Sequence, residues 1–310
     1  MKRGFLGLIT MVFIVLAAVV IVDVAVGRVM DWMLPQISNQ GDTGKTYFSF
    51  YEVDSPIVIV GSSRAAHHFD PYLVEEELGE PTYNVGRDHC FFSYNCCVIN
   101  SILERYSPHI IIWENSTSYL YSEFSDPLER LYPYYGKNPW VTQTLDEELP
   151  WSECVRLASS LYRYNSLFHR VLLRYVGRKK FVDTSRRGYT PIQALPQPFP
   201  LTLDTIPVEY EGLSQTKIAR FRSTLAKARE RNVRMIVVSS PKYVFEIGDN
   251  LSRRVMEEIC KEQGALFIDD SQMPYFYSHP EFFHDTVHLN EEGAACYTRM
   301  FLKQMEQLLP

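Results

Sequence analysis

Pro56-Ile57-Val58-Ile59-Val60-Gly61-Ser62-Ser63 is the stretch on which the fold turns. Four β-branched residues in a row, ended by a glycine, spell a strand buried on both faces, as strands of parallel sheets are. Reading outward, Pro71 to Leu78 forms a short helix and Thr82-Tyr83-Asn84-Val85-Gly86 a second strand. Phe91 to Tyr106 carries apolar residues at helical spacing, and Pro108-His109-Ile110-Ile111-Ile112-Trp113 is another buried strand. The alternation resumes with a basic amphipathic helix from Ser214 to Arg231 and a strand from Val233 to Val238. A helix from Leu251 to Gln263 and a strand from Ala265 to Ile268 follow. The last helix opens at Asn290, a residue suited to an N-cap, and Ala294, Tyr297, Phe301, Met305 and Leu308 share one stripe. Such alternation predicts an α/β fold, a parallel sheet with helices on both faces in a flavodoxin-like three-layer arrangement. Ligands of such sheets bind at the carboxyl ends of the strands.

The chain ahead of this domain has another character. Phe5 to Val22 is uncharged and follows Lys2 and Arg3. That length crosses the roughly 30 Å hydrocarbon layer as a helix and exceeds the apolar region of a cleavable signal peptide. Residues 5–27 are therefore read as a transmembrane anchor, with the amino terminus cytoplasmic by its positive charge. The expected location is the cytoplasmic (inner) membrane, single-pass, with the remaining domain on the extracytoplasmic side. Residues 28–53 read as a juxtamembrane connector, since Pro35, Asn39, Gly41, Asp42 and Gly44 break periodicity. Residues 54–310 form the α/β domain, interrupted by an insertion at about 116–210. There the alternation fails and aromatics accumulate: Tyr119, Tyr121, Tyr132, Tyr134, Tyr135, Trp140, Trp151, Tyr162 and Tyr164. Their faces suit stacking on sugar rings, and equally suit packing on the core. The end of the insertion, Arg186 to Pro207, is proline-rich and reads as a long loop.

Composition narrows the function. With 310 residues, 46% of them hydrophobic and 22% charged, the chain can bury a substantial core. A net charge of −6 speaks against nucleic acid, which needs a concentrated basic surface. The one basic cluster, Arg178-Lys179-Lys180 with Arg186-Arg187, reads as a solvated loop. Six cysteines, Cys90, Cys96, Cys97, Cys154, Cys260 and Cys296, show no metal-type C-x-x-C spacing and read mostly as small buried hydrophobes. No cofactor is called for.

Strand ends carry the chemistry. The first gives Gly61-Ser62-Ser63-Arg64, the second Asn84-Val85-Gly86 and the third Trp113-Glu114-Asn115; Asp285-Thr286-Val287-His288 stands before the last helix. A serine just after a buried strand can present its hydroxyl to the cleft. An aspartate three residues before a histidine can orient that ring and steady its protonated form, the logic of a Ser-His-acid triad. Ser63, His288 and Asp285 are the candidate catalytic residues. The backbone N–H groups of Ser63 and Gly86 and the side-chain amide of Asn115 are candidates for an oxyanion hole. Each has a plainer reading: Ser63 as a helix N-cap, the Asp285–His288 pair as a structural hydrogen bond, Gly86 as a strand end. Ser62 is an alternative nucleophile only after a register shift. A metal reading rests on His284 and His288, four apart, with His67, His68 and His89 at other strand ends. It needs H-E-x-x-H on a continuous helix, and Asp285 stands in the Glu position ahead of the helix.

In this order the blocks resemble the SGNH/GDSL hydrolase superfamily. Ser63 falls on its nucleophile position, with Ser62 where an aspartate is usual. Of the third block, commonly Gly-x-Asn-Asp, only Asn115 is kept, Trp113 and Ser116 replacing the ends; Asp285 and His288 match the last block in full. The Gly-Ser-Ser-Arg variant, the N-terminal membrane helix and the run after His288 are similar to exported members that handle acyl groups on bacterial surface polysaccharides. The resemblance implies a membrane-anchored serine esterase or O-acyltransferase. Its partners would be an acylated glycan or acyl donor as substrate, the membrane through the N-terminal helix, and a possible membrane acyl-transfer partner. The alternative is an inactive glycan-binding or assembly protein of the same fold. A general-base imidazole accepts a proton only when neutral, so activity is expected to fall below about pH 6.5.

Overall fold

The computed structural model describes residues 2–178, 187–194, 203–208, 210 and 212–308. Lys179, Lys180 and Arg186 of the basic cluster, and residues 195–202 of the proline-rich stretch, lie outside them. The chain begins with α1 (Lys2–Gln36) and α2 (Gly41–Tyr51), then β1 (Ile57–Val60), α3 (Ser63–His68), α4 (Pro71–Leu78) and β2 (Thr82–Asn84). Next come α5 (Phe92–Arg105), β3 (Ile110–Glu114), α6 (Pro139–Glu148), α7 (Trp151–Arg156), α8 (Ser160–Tyr164) and α9 (Phe168–Gly177). After β4 (Asp204–Pro207) follow α10 (Gln215–Glu230), β5 (Arg234–Ser239), β6 (Val244–Ile247) and α11 (Leu251–Gln263). The chain closes with β7 (Leu266–Asp269), α12 (Pro274–Tyr277) and α13 (Glu291–Leu308). It divides into two compact units, Met1–Tyr47 with Glu129–Val182 and Phe48–Leu128 with Asp183–Pro310.

The second unit is built on a five-stranded parallel sheet in the order β2-β1-β3-β5-β7. Counted along this sheet alone the order is 2-1-3-4-5, a doubly wound topology whose direction reverses beside β1. Alternation along the strands decides what each face meets. Ile57, Ile59, Ile112 and Ile236 pack with Ala65, Phe69, Tyr297 and Phe301, so α3, α4 and α13 cover that face. On the other face Trp113 stacks on Phe92 of α5 at 5.8 Å and meets Phe221 of α10 at 5.3 Å. Helix ends follow local chemistry. Ser214 accepts from the Lys217 amide to cap α10, and Asn290 accepts from the Gly293 amide to start α13. A second, two-stranded parallel sheet pairs β4 with β6, a pairing absent from the expected alternation.

In the first unit α1 runs on to Gln36, and α1 and α2 together occupy most of the span read as a connector. The tail of α1 has an apolar side to bury: Met30, Leu34 and Ile37 pack with Tyr164, Leu167 and Val171. Pro35 sits in its last turn and Gly41 takes a positive φ of 59° at the start of α2, so the breakers mark helix ends and not an irregular segment. The segment ahead, Phe5 to Val22, is long and apolar enough to cross a membrane, and none of its side chains is buried. The expected insertion is likewise divided, since Glu129–Val182 belongs with this unit and the rest with the sheet. Many of its aromatics are core: Tyr119, Tyr121, Tyr134 and Tyr164 are all buried, which removes them from any sugar surface. All six cysteines are unbridged, with Cys90, Cys96, Cys97 and Cys260 buried.

Candidate active site

The buried β1 delivers the chain to Gly61 at its carboxyl end, and α3 begins two residues later. Gly61 has no room for a side chain, because a Cβ would stand 2.7 Å from both Ala65 Cβ and the Glu114 carbonyl. Ser63 is the first helical residue of α3, and Ser62 holds the N-cap position without making a capping bond. The N-cap reading of Ser63 therefore gives way. Ser62 is 3% exposed and its hydroxyl pairs with that of Tyr119, while Ser63 is half-buried and reachable.

Facing Ser63, residues 283–289 fold back on themselves. Phe283 bridges to Leu289, and the His284 amide donates to the His288 carbonyl at 2.8 Å. Asp285 Oδ1 accepts from the amides of Val287 and His288, each at 2.8 Å, and its Oδ2 lies 2.8 Å from His288 Nδ1. The other ring nitrogen, His288 Nε2, is 2.7 Å from Ser63 Oγ. With the carboxylate only able to accept, Nδ1 carries the proton and Nε2 receives the serine hydroxyl. Burial would raise the Asp285 pKa, but the hydrogen bonds from His288 and from the Val287 amide outweigh it and bring the carboxyl down to about 2.

A second layer lies beneath this line. Glu114, at the end of β3, shares a sheet face with Ile112 and meets Arg64 at 2.9 Å, its side chain completely buried. Arg64 also donates to the Ser240 carbonyl at 3.2 Å. The Leu289 amide donates to His68 Nε2 at 3.0 Å; His68 Nδ1 then faces Ser240 Oγ at 2.8 Å, and that hydroxyl reaches Glu114 Oε1 at 3.3 Å. Burial, reinforced by the charge of Arg64, holds the His68 pKa well below its usual range, which suits a ring that accepts at one nitrogen and donates at the other. Burial likewise pushes the Glu114 carboxyl up, against the pull of Arg64. The network joins the residue after Ser63 to the residue after His288. His67 stands at the rim, 3.2 Å from Asp88 and 2.6 Å from the Thr190 carbonyl, its ring edge-on to His288 at 5.6 Å.

Ser63, His288 and Asp285 thus come together, from stretches 225 positions apart in the case of Ser63 and His288. The other oxyanion-hole candidates do not join them in the same way. The Gly86 N–H is taken by Asn84 Oδ1 at 2.9 Å, and Gly86 is a glycine for packing, since a Cβ would lie 2.6 Å from the Ala66 nitrogen. Asn115 follows Glu114 and so falls on the opposite sheet face, where its amide meets Met256 Sδ of α11 at 4.0 Å. The Ser63 amide, at the uncapped start of α3, keeps its suitability. Of the histidines in the metal reading, His67 and His68 lie on α3 and His284 in the folded-back loop; no group of three His, Cys, Asp or Glu is set to hold a metal ion among the described residues. This layer is not assigned by the sequence reading: Arg64 and Glu114 enter there only within the strand-end blocks, His68 only in the metal reading, and Ser240 not at all. The signal for it was a pair of charged residues, Arg64 and Glu114, at the ends of two buried strands. Comparison of the sequence with family models and with curated proteins finds no match in either.

Proposed function

We propose that this chain is a membrane-anchored serine esterase or O-acyltransferase of SGNH type, acting on O-acyl groups of a cell-surface glycan. The observation that carries the reading is the unbroken line Ser63 Oγ–His288 Nε2, His288 Nδ1–Asp285 Oδ2, at 2.7 and 2.8 Å. In it, Ser63 Oγ bonds to the acyl carbon while His288 takes the hydroxyl proton. The ester C–O bond breaks, and the leaving alkoxide receives that proton. Water then releases the acyl group as an acid, or a sugar hydroxyl accepts it as a new ester. Asp285 holds the ring through both transfers. The location of Ser63 beside the reversal point of a doubly wound sheet, where such folds place ligands, supports the same reading. The apolar α1 supports a tether at the cytoplasmic membrane, with the glycan class inferred from the family resemblance.

The test is hydrolysis of a small activated acetyl ester by the purified chain. Ser63→Ala is expected to lower turnover on the order of 10⁴-fold or more, and His288→Ala by a similar factor. Wild-type turnover equal to that of both variants would remove the enzyme reading. One observation favours a second reading, a glycan-binding protein that has lost its chemistry: the Gly86 and Asn115 amides are engaged elsewhere. Saturable glycan binding without ester turnover would decide for it.

A further inference from the structure

The helix α7 stands apart among the elements of the first unit. None of its residues is buried. Trp151 is 80% exposed and Val155 52%; four positions apart, they share one helix face. Leu161, at the start of α8, is 42% exposed beside them in sequence. A group of exposed apolar side chains led by a tryptophan marks an interaction surface, where a single one would not.

The first unit places this face by two polar ties to α1. Asp23 accepts from the Ser159 hydroxyl at 2.6 Å and from the amides of Ser160 and Leu161 at 2.9 and 2.8 Å. Eight residues further along α1, Asp31 pairs with Lys137 and Tyr164. Eight residues of helix span about 12 Å. The chain from 137 to 159 therefore leaves α1 at the level of Asp31 and returns to it at Asp23, the residue that directly follows the bare apolar stretch Phe5–Val22. That stretch is about 27 Å long as a helix, close to the thickness of a bilayer core. The α7–α8 junction is thus tied to α1 directly after this stretch. Gly27 fixes this contact, since a Cβ there would lie 2.3 Å from Ser160 Oγ.

We infer that α7 is a membrane-docking element: Trp151, Val155 and Leu161 insert into the interface of the lipid bilayer that α1 crosses. Tryptophan is the residue most at home at that depth, with an apolar ring and a polar N–H. The occupant is a lipid surface, because the α7–α8 junction is held at Asp23, directly beside a helical stretch whose own exposed apolar side chains suit lipid. Two anchors, one spanning and one lying in the interface, would fix the rotation of the first unit about the α1 axis.

The test uses the full chain reconstituted in phosphatidylcholine vesicles, with and without brominated acyl chains that quench tryptophan on contact. Bromolipid is expected to quench a fraction of the emission, and Trp151→Phe to lower that fraction by roughly twofold or more, given three other tryptophans. Trp140→Phe, a control in the same unit, is expected not to lower it. Vesicle flotation with a quenchable fraction equal in wild type and Trp151→Phe would overturn the docking face while keeping the anchor. Failure to float would overturn both. A Trp151 emission shift that follows protein concentration in detergent, with no quenching in vesicles, would assign the face to a second copy and overturn the lipid assignment.

Discussion

Asp285 does two jobs with two oxygens. Oδ1 gathers the Val287 and His288 amides and shapes the loop, leaving Oδ2 for the imidazole. Replacing it with asparagine keeps the shape and loses the acceptor pair, so Asp285→Asn is expected to lower acetyl-ester turnover on the order of 10³-fold with little change in KM. The same group sets an acid limit. Its folded pKa of about 2 lies below the unfolded reference of about 3.9, so the stability it adds is complete above about pH 4 and disappears as pH falls through 2. Urea midpoints of wild type and Asp285→Asn should therefore converge between pH 4 and pH 2; a constant gap across that window would refute the link. This pair was legible in the sequence because it is local, three residues apart before a helix. Its join to Ser63 was legible only as an ordered set of strand ends. The amides of Gly86 and Asn115 were not legible, because a motif names residue types and does not say that Asn84 sits near enough to claim one amide or that strand parity turns the other away.

At the level of elements, α3 and the loop before α13 are held to the sheet by a buried ion pair and a histidine. A lone buried charge is costly, so Glu114→Ala, which strands Arg64, is expected to cost about 3–5 kcal/mol in urea unfolding. Arg64→Met combined with Glu114→Leu should recover most of that loss. A loss of under about 1 kcal/mol in the single variant would mean that Arg64 finds water instead. His68 gives the network its own pH dependence. Its folded pKa is depressed while the unfolded ring titrates near 6.5, so the unfolded state binds the extra proton and stability should decline as pH falls below about 6.5. His68→Gln should start from a lower midpoint at pH 7 and show a flatter decline toward pH 5. This layer was hidden from the sequence for a physical reason. Glu114 meets Arg64 only because β1 and β3 pair in a register that sets Val60 opposite Trp113, and Ser240 enters only through β5.

Over the whole molecule, the parallel sheet was readable from periodicity because each strand is a short apolar run bounded by turn residues. The first unit was less so, since Glu129–Val182 joins α1 across more than eighty intervening positions and its helices are short. The breakers between 28 and 53 suggested irregular chain, whereas packing of Met30, Leu34 and Ile37 against α8 and α9 sustains helix up to Gln36. The bare Phe5–Val22 face leads to a direct expectation: the intact chain stays with membranes through an alkaline carbonate wash, and a variant lacking residues 2–22 does not. Recovery of both forms in the wash would contradict the anchor. The claim on which the functional account stands is that the Ser63 hydroxyl is the nucleophile. It is tested most directly by treating the detergent-solubilised full chain with a fluorophosphonate and mapping the adduct by peptide mass spectrometry. The expected result is a single adduct on Ser63 that is absent from Ser63→Ala and strongly reduced in His288→Ala; no adduct, or one equally abundant in Ser63→Ala, would contradict it.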